Sequence, residues 1–248
     1  MSAIDKTLDI LFCVAQARRD VGVTEIADLC NSDKATVFRS LKALERRNLI
    51  EQNPETRRYR LGLGTVSLAG HKLRGLSVAA QAQPFLTRLS QEIQETVQLS
   101  VRSGNHVLYL SVVESAHPIR VASDVGAFGP LHCTAAGKLF LAYGEPDLAK
   151  FVLAAPLEKH TERTLTDVDA LQRNLDLVRQ RGWSLDDEEL VPHLRVVAAP
   201  IRDMSGKVVA AVAGGGPTLR VTPEKIEPMA QAVTATAQKI SNNLTGGQ

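Results

Sequence analysis

Eight cations stand between Lys34 and Arg60: Lys34, Arg39, Lys42, Arg46, Arg47, Arg57, Arg58 and Arg60. Only three carboxylates, Glu45, Glu51 and Glu55, share that stretch. The whole 248-residue chain has a net charge of +2, so the excess is local. Residues 1–76 hold 13 Lys/Arg and 9 Asp/Glu, a net +4, while the remainder holds 16 and 18, a net −2. Cations at this density neutralise phosphates, and hydroxyl and guanidinium groups on a slim helix can bond base edges. The chemistry expected is therefore binding of double-stranded DNA. Thr36, Arg39 and Ser40 are candidates for base edges, and Lys34, Lys42, Arg46, Arg57, Arg58 and Arg60 for phosphates. Thr24 and Ala35 complete the candidate DNA-binding set.

Other reactive types are less organised. His132-Cys133 is the only thiol beside an imidazole. A nucleophilic thiolate needs a base in space, and neighbours on an extended segment point to opposite faces, so cysteine hydrolysis is the weaker alternative. Cys13, Cys30 and Cys133 are odd in number and unpatterned, which fits reduced thiols rather than disulfides or zinc. The six histidines (His71, His106, His117, His132, His160 and His193) lack a spacing such as His-x3-His, so no metal is expected unless distant ones converge. Gly214-Gly215-Gly216 precedes Pro217 with no Lys-Ser/Thr, so it is no phosphate loop and instead lets strand backbone border a cavity. No catalytic residue and no cofactor is expected.

The elements that position the cations follow from local pattern. Ile4, Leu8, Leu11, Phe12 and Ala15 mark one face of a first helix ending near Arg18-Arg19-Asp20. Thr24 caps a second, short helix, Asn31-Ser32 breaks it, and Asp33 opens a third from Lys34 to about Arg47. Val37, Leu41 and Leu44 form that helix's inward stripe, which leaves Lys34, Ala35, Thr36, Arg39, Ser40 and Lys42 largely outside it. Leu49–Gln52 and Arg57–Leu61 make a hairpin around Asn53-Pro54-Glu55-Thr56, suited to lie along phosphates.

Residues 65–76 read as a linker helix weakened by Gly70 and Gly75, with Val66, Leu68, Ala69 and Leu73 apolar. A second helix runs from Leu76 to about Gln94 and is interrupted by Pro84. Alternation then predicts strands at Val97–Val101, Val107–Val113, Ile119–Val125, Trp183–Leu185, Leu194–Ile201 and Lys207–Ala213. Helices fall at Thr134–Tyr143, Pro146–Leu153, Asp167–Arg181 and Pro223 to about Asn242. Asp186-Asp187-Glu188-Glu189 is expected as an acidic loop with Asp186 facing a pocket and the rest solvated. An α+β fold with a mostly antiparallel sheet follows.

Hydrophobic content of 44% and charge of 23% are ordinary for a globular protein, and 4% aromatics makes the core aliphatic. Met1–Lys6 lacks the apolar core of a signal peptide, and no uncharged run approaches the ~18 residues that span a bilayer. A cytoplasmic protein without membrane partners is expected.

Several separated stretches, in order, resemble the IclR family of bacterial transcriptional regulators over essentially the full length. They are Thr36–Leu41, Gly129–Lys138, Arg181-Gly182-Trp183 with Asp186–Glu189, and Val197–Asp203 with Gly206 and Gly216-Pro217. The resemblance implies a winged helix-turn-helix at 1–64, a linker helix at 65–76 and a GAF-like effector and oligomerisation domain at 77–248. It also implies homodimers, with pairing into homotetramers, on operator DNA, and a small organic acid or aromatic effector; repressors are the commoner case.

Carried over residue by residue, the effector pocket comprises Leu131, Thr134, Ala135, Ala136 and Asp186. Its remaining positions here are His193, Val196, Ala213 and Gly215. Members that bind small 2-oxo acids usually have a cysteine where this chain has Val196, and serines where it has Ala213 and Gly215. Loss of those donors implies a larger, more apolar cavity, because a buried carboxylate without donors is costly. An aromatic acid is favoured over glyoxylate or pyruvate. His193 and Asn48 stand where the family usually has glycine; asparagine tolerates positive φ.

Overall fold

The computed structural model describes residues 2–17, 19–74 and 77–246, apart from the side chains at 71–77, 146, 245 and 246. Arg18, Gly75, Leu76 and the side chain of Leu73, all assigned above, lie outside that description. The chain forms two compact units, Met1–Leu76 and Ser77–Gln248.

In the first unit, α1 (Ala3–Gln16), α2 (Val23–Leu29) and α3 (Lys34–Glu45) pack around Ile10, Val14, Ile26, Val37, Leu41 and Leu44. The Asp33 side chain caps α3 by accepting from the Thr36 amide at 2.8 Å. Asn31 ends the turn after α2 with φ 45°. Two expectations fail here. The buried residues of α1 are Ile10 and Val14; of the expected face only Leu11 packs against the core, while Ile4, Leu8, Phe12 and Ala15 are exposed. The 3.6-residue period allows two adjacent stripes, and the shorter one won. Thr24 does not cap α2 either; Gly22 occupies that position without a side-chain bond, and Thr24 is already helical.

β1 (Ile50–Gln52) and β2 (Tyr59–Leu61) form the antiparallel hairpin. Val21 joins it as a third short rung, exchanging backbone bonds with Tyr59 at 2.9 and 2.8 Å. Arg57 and Arg58 belong to the turn rather than the strand, and Arg57 sits at φ 58°. α4 (Leu63–Arg74) follows, and its start lies against the chain at Asn48, where a Cβ on Gly62 would stand 2.4 Å from the Asn48 carbonyl.

The second unit is a six-stranded antiparallel sheet in the order β5-β4-β3-β8-β7-β6. In chain order these strands are β3 (Thr96–Ser103), β4 (His106–Val113), β5 (Phe128–Pro130), β6 (Ser184–Asp187), β7 (Leu194–Arg202) and β8 (Val208–Pro217). Side chains alternate between two apolar layers. Val97, Leu99, Val197, Ala199, Ile201 and Val212 face α5 (Ser77–Ile93) and α9 (Pro223–Gly246). Val107, Ala198, Ala211 and Ala213 face α6 (Ala135–Tyr143) and α8 (Val168–Arg181), with Leu148 and Val152 of α7 (Pro146–Leu153) packed beside them. Burying each such Val, Leu or Ile contributes about 1.5–3 kcal/mol, so the two layers dominate the unit's stability.

Pro84 sits inside an unbroken α5 rather than interrupting it, on its exposed side. Ile119–Val125 is not a strand; that segment is irregular and the edge strand is Phe128–Pro130. Pro118 precedes Ile119, and no regular ladder forms until Gly126, at φ 89°, has turned the chain. Asp186 and Asp187 end β6 instead of lying in a loop, and Glu189 is buried rather than solvated. Among the described residues no helix is long and apolar enough to cross a membrane.

Candidate nucleic-acid interface and ligand cavity

The N-terminal half of α3 presents Lys34, Ala35 and Arg39 to solvent, with Thr36 half-buried. Arg39 Nη2 donates to Thr36 Oγ1 at 3.2 Å, so the two side chains act as one polar unit. Ser40 is not part of this face. It is buried, and its hydroxyl bonds Thr7 Oγ1 of α1 at 3.0 Å. Its offset of three residues from Val37 turns it inward, which a purely polar reading of serine missed. Phe38, half exposed, stands instead on the outer face with Lys42 Nζ 5.7 Å above its ring.

The cations divide by what they already hold. Lys42 pairs with Glu45 at 2.7 Å and Arg60 with Glu51 at 2.7 Å. Arg58 donates to the Asp20 carbonyl at 2.9 Å and lies 3.6 Å from Glu25. These pairs are at the surface, where they contribute little and can exchange for phosphates. Among the described residues, the side chains of Lys34, Arg46, Arg47 and Arg57 have no partner within the chain. Thr24 is exposed at the edge of a groove that Arg58 and Glu25 also line.

In the second unit a cavity of about 80 Å³ lies between α6 and the sheet. Six of the candidate effector residues, Thr134, Ala135, Ala136, Asp186, Val196 and Ala213, line it. Thr134 caps α6, accepting from the Gly137 amide at 3.0 Å and donating to the Pro130 carbonyl at 2.7 Å. Among the described residues the Ala135 and Ala136 amides have no acceptor, so two helix-end donors remain free at the cavity wall.

Three expected members lie elsewhere. Leu131 is buried in the aliphatic layer. Gly215 packs against the β7 backbone, where a Cβ would stand 2.6 Å from the Arg195 carbonyl. His193 is 87% exposed, with φ 63°, and faces Glu188 at 3.5 Å. The backbone at His193, like that at Asn48 (φ 55°), is left-handed, a conformation that favours glycine.

Gln98, Tyr109, Val121–Ser123, Leu190, Val191 and Leu194 complete the wall and were not anticipated. For Tyr109 the signal was present: it alternates with Leu108 and Leu110 and so faces the α6 side. At about 80 Å³ the cavity is not the enlarged one expected from the loss of those donors.

Burial pushes the Asp186 carboxyl up to about 7, against the attraction of Lys138. Its Oδ1 accepts from the Glu189 amide at 2.7 Å. Lys138 is fully buried and pairs with Glu189, whose second oxygen has no partner. Burial raises Tyr109 to about 12, with Asp186 adding to it. Cys133 is likewise pushed to about 12 by burial, then by Asp186 and Glu189, so it is a thiol at neutral pH and a poor nucleophile.

Residues 3–54 match the IclR helix-turn-helix domain, and residues 70–242 match the bacterial transcriptional regulator IclR C-terminal domain. The chain is 35% identical over 240 residues to the transcriptional regulator BhcR of Paracoccus denitrificans, covering 96% of this chain and 86% of BhcR. It is 31% identical to the transcriptional repressor AllR of Klebsiella pneumoniae, over 98% of this chain and 89% of AllR. A crystal structure of an IclR homolog complexed with 4-hydroxybenzoate, from Microbacterium hydrocarbonoxydans, superposes with a TM-score of 0.85 at 25% identity, covering 98% of this chain and 99% of that one.

Proposed function

The chain belongs to the IclR family of bacterial transcriptional regulators, not to a family of enzymes, and from that premise we propose that it is an effector-gated repressor of a catabolic operon. The observation that carries this reading is the tier at the start of α3, with Lys34, Ala35 and Arg39 exposed and Thr36 half-buried, together with Arg46 and Arg57, whose side chains have no partner among the described residues. As a homodimer, with dimers pairing into tetramers, two such helices read half-sites of a pseudopalindrome in successive major grooves, roughly 34 Å apart or a multiple of it. Arg39 and Thr36 face base edges; Lys34, Lys42, Arg46, Arg57, Arg58 and Arg60 hold phosphates, with Thr24 at the rim. An activator of the same family is the alternative, and reporter transcription with and without effector separates the two.

The effector occupies the cavity beside α6. Its carboxylate lies at the free Ala135 and Ala136 amides, and its body lies against Tyr109, Val196 and Ala213. The 4-hydroxybenzoate complex of the Microbacterium hydrocarbonoxydans relative supports an aromatic acid. One observation favours a second reading: 80 Å³ is less than the ~150 Å³ that accepts a benzene ring, so a compact 2-oxo acid fits without movement. An aromatic acid requires the Leu190–Leu194 segment to yield. Isothermal titration with an aromatic-acid panel beside glyoxylate decides: tight glyoxylate binding with a silent aromatic panel removes the aromatic reading. Whichever acid binds, it changes operator affinity only as far as it prefers one arrangement of the paired readers.

A further inference from the structure

We propose that His132, Cys133 and His160 form a binding site for a soft divalent cation such as Zn²⁺, with the Glu158 carboxylate as fourth ligand. Sequence spacing gave no reason to expect this, since His160 is remote from the His132-Cys133 pair. The fold brings them together. Residues 131–133 form a turn rather than an extended segment, so His132 and Cys133 do not point to opposite faces, and both approach the loop between α7 and α8. One ligand atom from each of His132, Cys133 and His160 lies within 4.8 Å of the others.

Two ring nitrogens in this cluster, His160 Nε2 and His132 Nδ1, are unused. His160 Nε2 is buried and has no hydrogen-bond partner, which is costly for a polar atom out of water. Glu158 Oε2 stands 3.9 Å from it, on a side chain that is 79% exposed and free to swing inward. His132 Nε2 lies 2.9 Å from the Glu158 carbonyl oxygen. A carbonyl only accepts, so the hydrogen is on Nε2 and the lone pair is on Nδ1. Metal-bound histidines are held in this way, the second ring nitrogen donating to a backbone carbonyl that fixes the tautomer. The two rings lie side by side, with centroids 5.8 Å apart and planes inclined by 27°.

A thiolate, two imidazoles and a carboxylate are borderline-soft donors of the set that zinc takes tetrahedrally. Ligands around a tetrahedral zinc are roughly 3.5 Å apart, so separations within 4.8 Å close by at most about 1.3 Å on binding. Rotation of the partly exposed His160 supplies that movement. On binding, the Cys133 S–H proton is released to solvent and the thiolate bonds the ion. The site adjoins Thr134, the cap of α6, so an ion there anchors the turn that leads to the cavity. This inference does not rest on the DNA-binding or effector readings.

Tag-free full-length protein, reduced and stripped of metal, is titrated with Zn²⁺ against a chromophoric chelator and separately with Co²⁺, whose thiolate complexes show charge-transfer absorption. One ion per chain and a thiolate-to-cobalt band are expected. Cys133→Ser removes the band, His160→Ala weakens binding by about tenfold or more, and the Cys13→Ser/Cys30→Ser double variant keeps both signals. His160 lies at the surface, so His160→Ala remains informative if Cys133→Ser fails to fold. Substoichiometric binding, a spectrum without the thiolate band, or less than a tenfold loss in His160→Ala overturns the site.

Discussion

Thr7 of α1 and Ser40 of α3 share a hydrogen bond of 3.0 Å across the helical core of the first unit. That bond turns a residue with the chemistry of a base reader into a structural one. Thr7 Oγ1 already donates to the Ala3 carbonyl at 2.9 Å, so Ser40 is the donor of this bond, and Ser40→Ala, which removes that one bond, lowers unfolding free energy by about 1 kcal/mol. Its ranking of operator sequences stays that of the wild type. Arg39→Ala has the opposite profile: stability within about 0.5 kcal/mol, and relaxed preference at one or two base pairs in a selection from random DNA. A changed sequence preference for Ser40→Ala, or an unchanged one for Arg39→Ala, would reverse the two assignments.

Arg46 and Arg58 are expected to act through phosphates, and so without regard to sequence. Substituting either with alanine weakens specific and non-specific DNA alike and lowers the slope of log K against log salt by about one. Arg58 also donates to the Asp20 carbonyl, but that bond is at the surface, so thermal stability of both variants should stay close to the wild type. Fluorescence anisotropy over a salt series, beside thermal melts, checks both effects.

The helical reader was largely legible in the sequence because its signals are local: Asp33 capping α3, the Val37–Leu41–Leu44 stripe and the hairpin after it, although Arg57 and Arg58 fall in its turn and not on its return strand. Errors arose where two local readings were degenerate, as with the two stripes of α1, or where a small polar residue could face either way, as with Ser40. The cavity was less legible. Tyr109, Ser123 and Leu194 come from separate elements that meet only through the order of the sheet, and no spacing encodes that. Gly215 and His193 were misplaced because a family position was read as a side-chain site when its constraint is on the backbone, at His193 a φ of 63°.

The buried Lys138–Glu189 pair was also invisible in the sequence, since Glu189 sits in an acidic run that normally faces water. Glu189 depends on that single cation for compensation. Lys138→Met leaves an uncompensated buried carboxylate and is expected to destabilise the second unit by about 3–5 kcal/mol. Lys138→Met/Glu189→Leu should recover much of that loss in chemical denaturation. A single variant as stable as the wild type would show that the pair is not closed in solution.

Asp186 supplies a pH dependence with a defined sign. Its folded carboxyl titrates at about 7, above the ordinary carboxylate value, because burial disfavours the charge. The folded state therefore binds this proton more tightly, and the stability it contributes is present below pH ~4 and lost as pH rises through about 7. The gap corresponds to on the order of 4 kcal/mol. Asp186→Asn should abolish this loss between pH 5.5 and 8. Binding of an anionic acid in the same cavity should weaken as pH rises above 7, and that dependence should vanish in Asp186→Asn. A pH-independent affinity for the wild type would remove Asp186 from the effector's surroundings.

The central claim is that the tier at the start of α3 and the basic turn read duplex DNA in sequence. Its most direct test is selection of bound sites from a random duplex library by the full-length protein at low salt, followed by affinity measurement on the best site and a scrambled copy. A pseudopalindrome bound at least about 10³-fold more tightly than its scrambled copy is expected. No enrichment of any sequence, or equal affinity for both duplexes with and without organic acids, would contradict it.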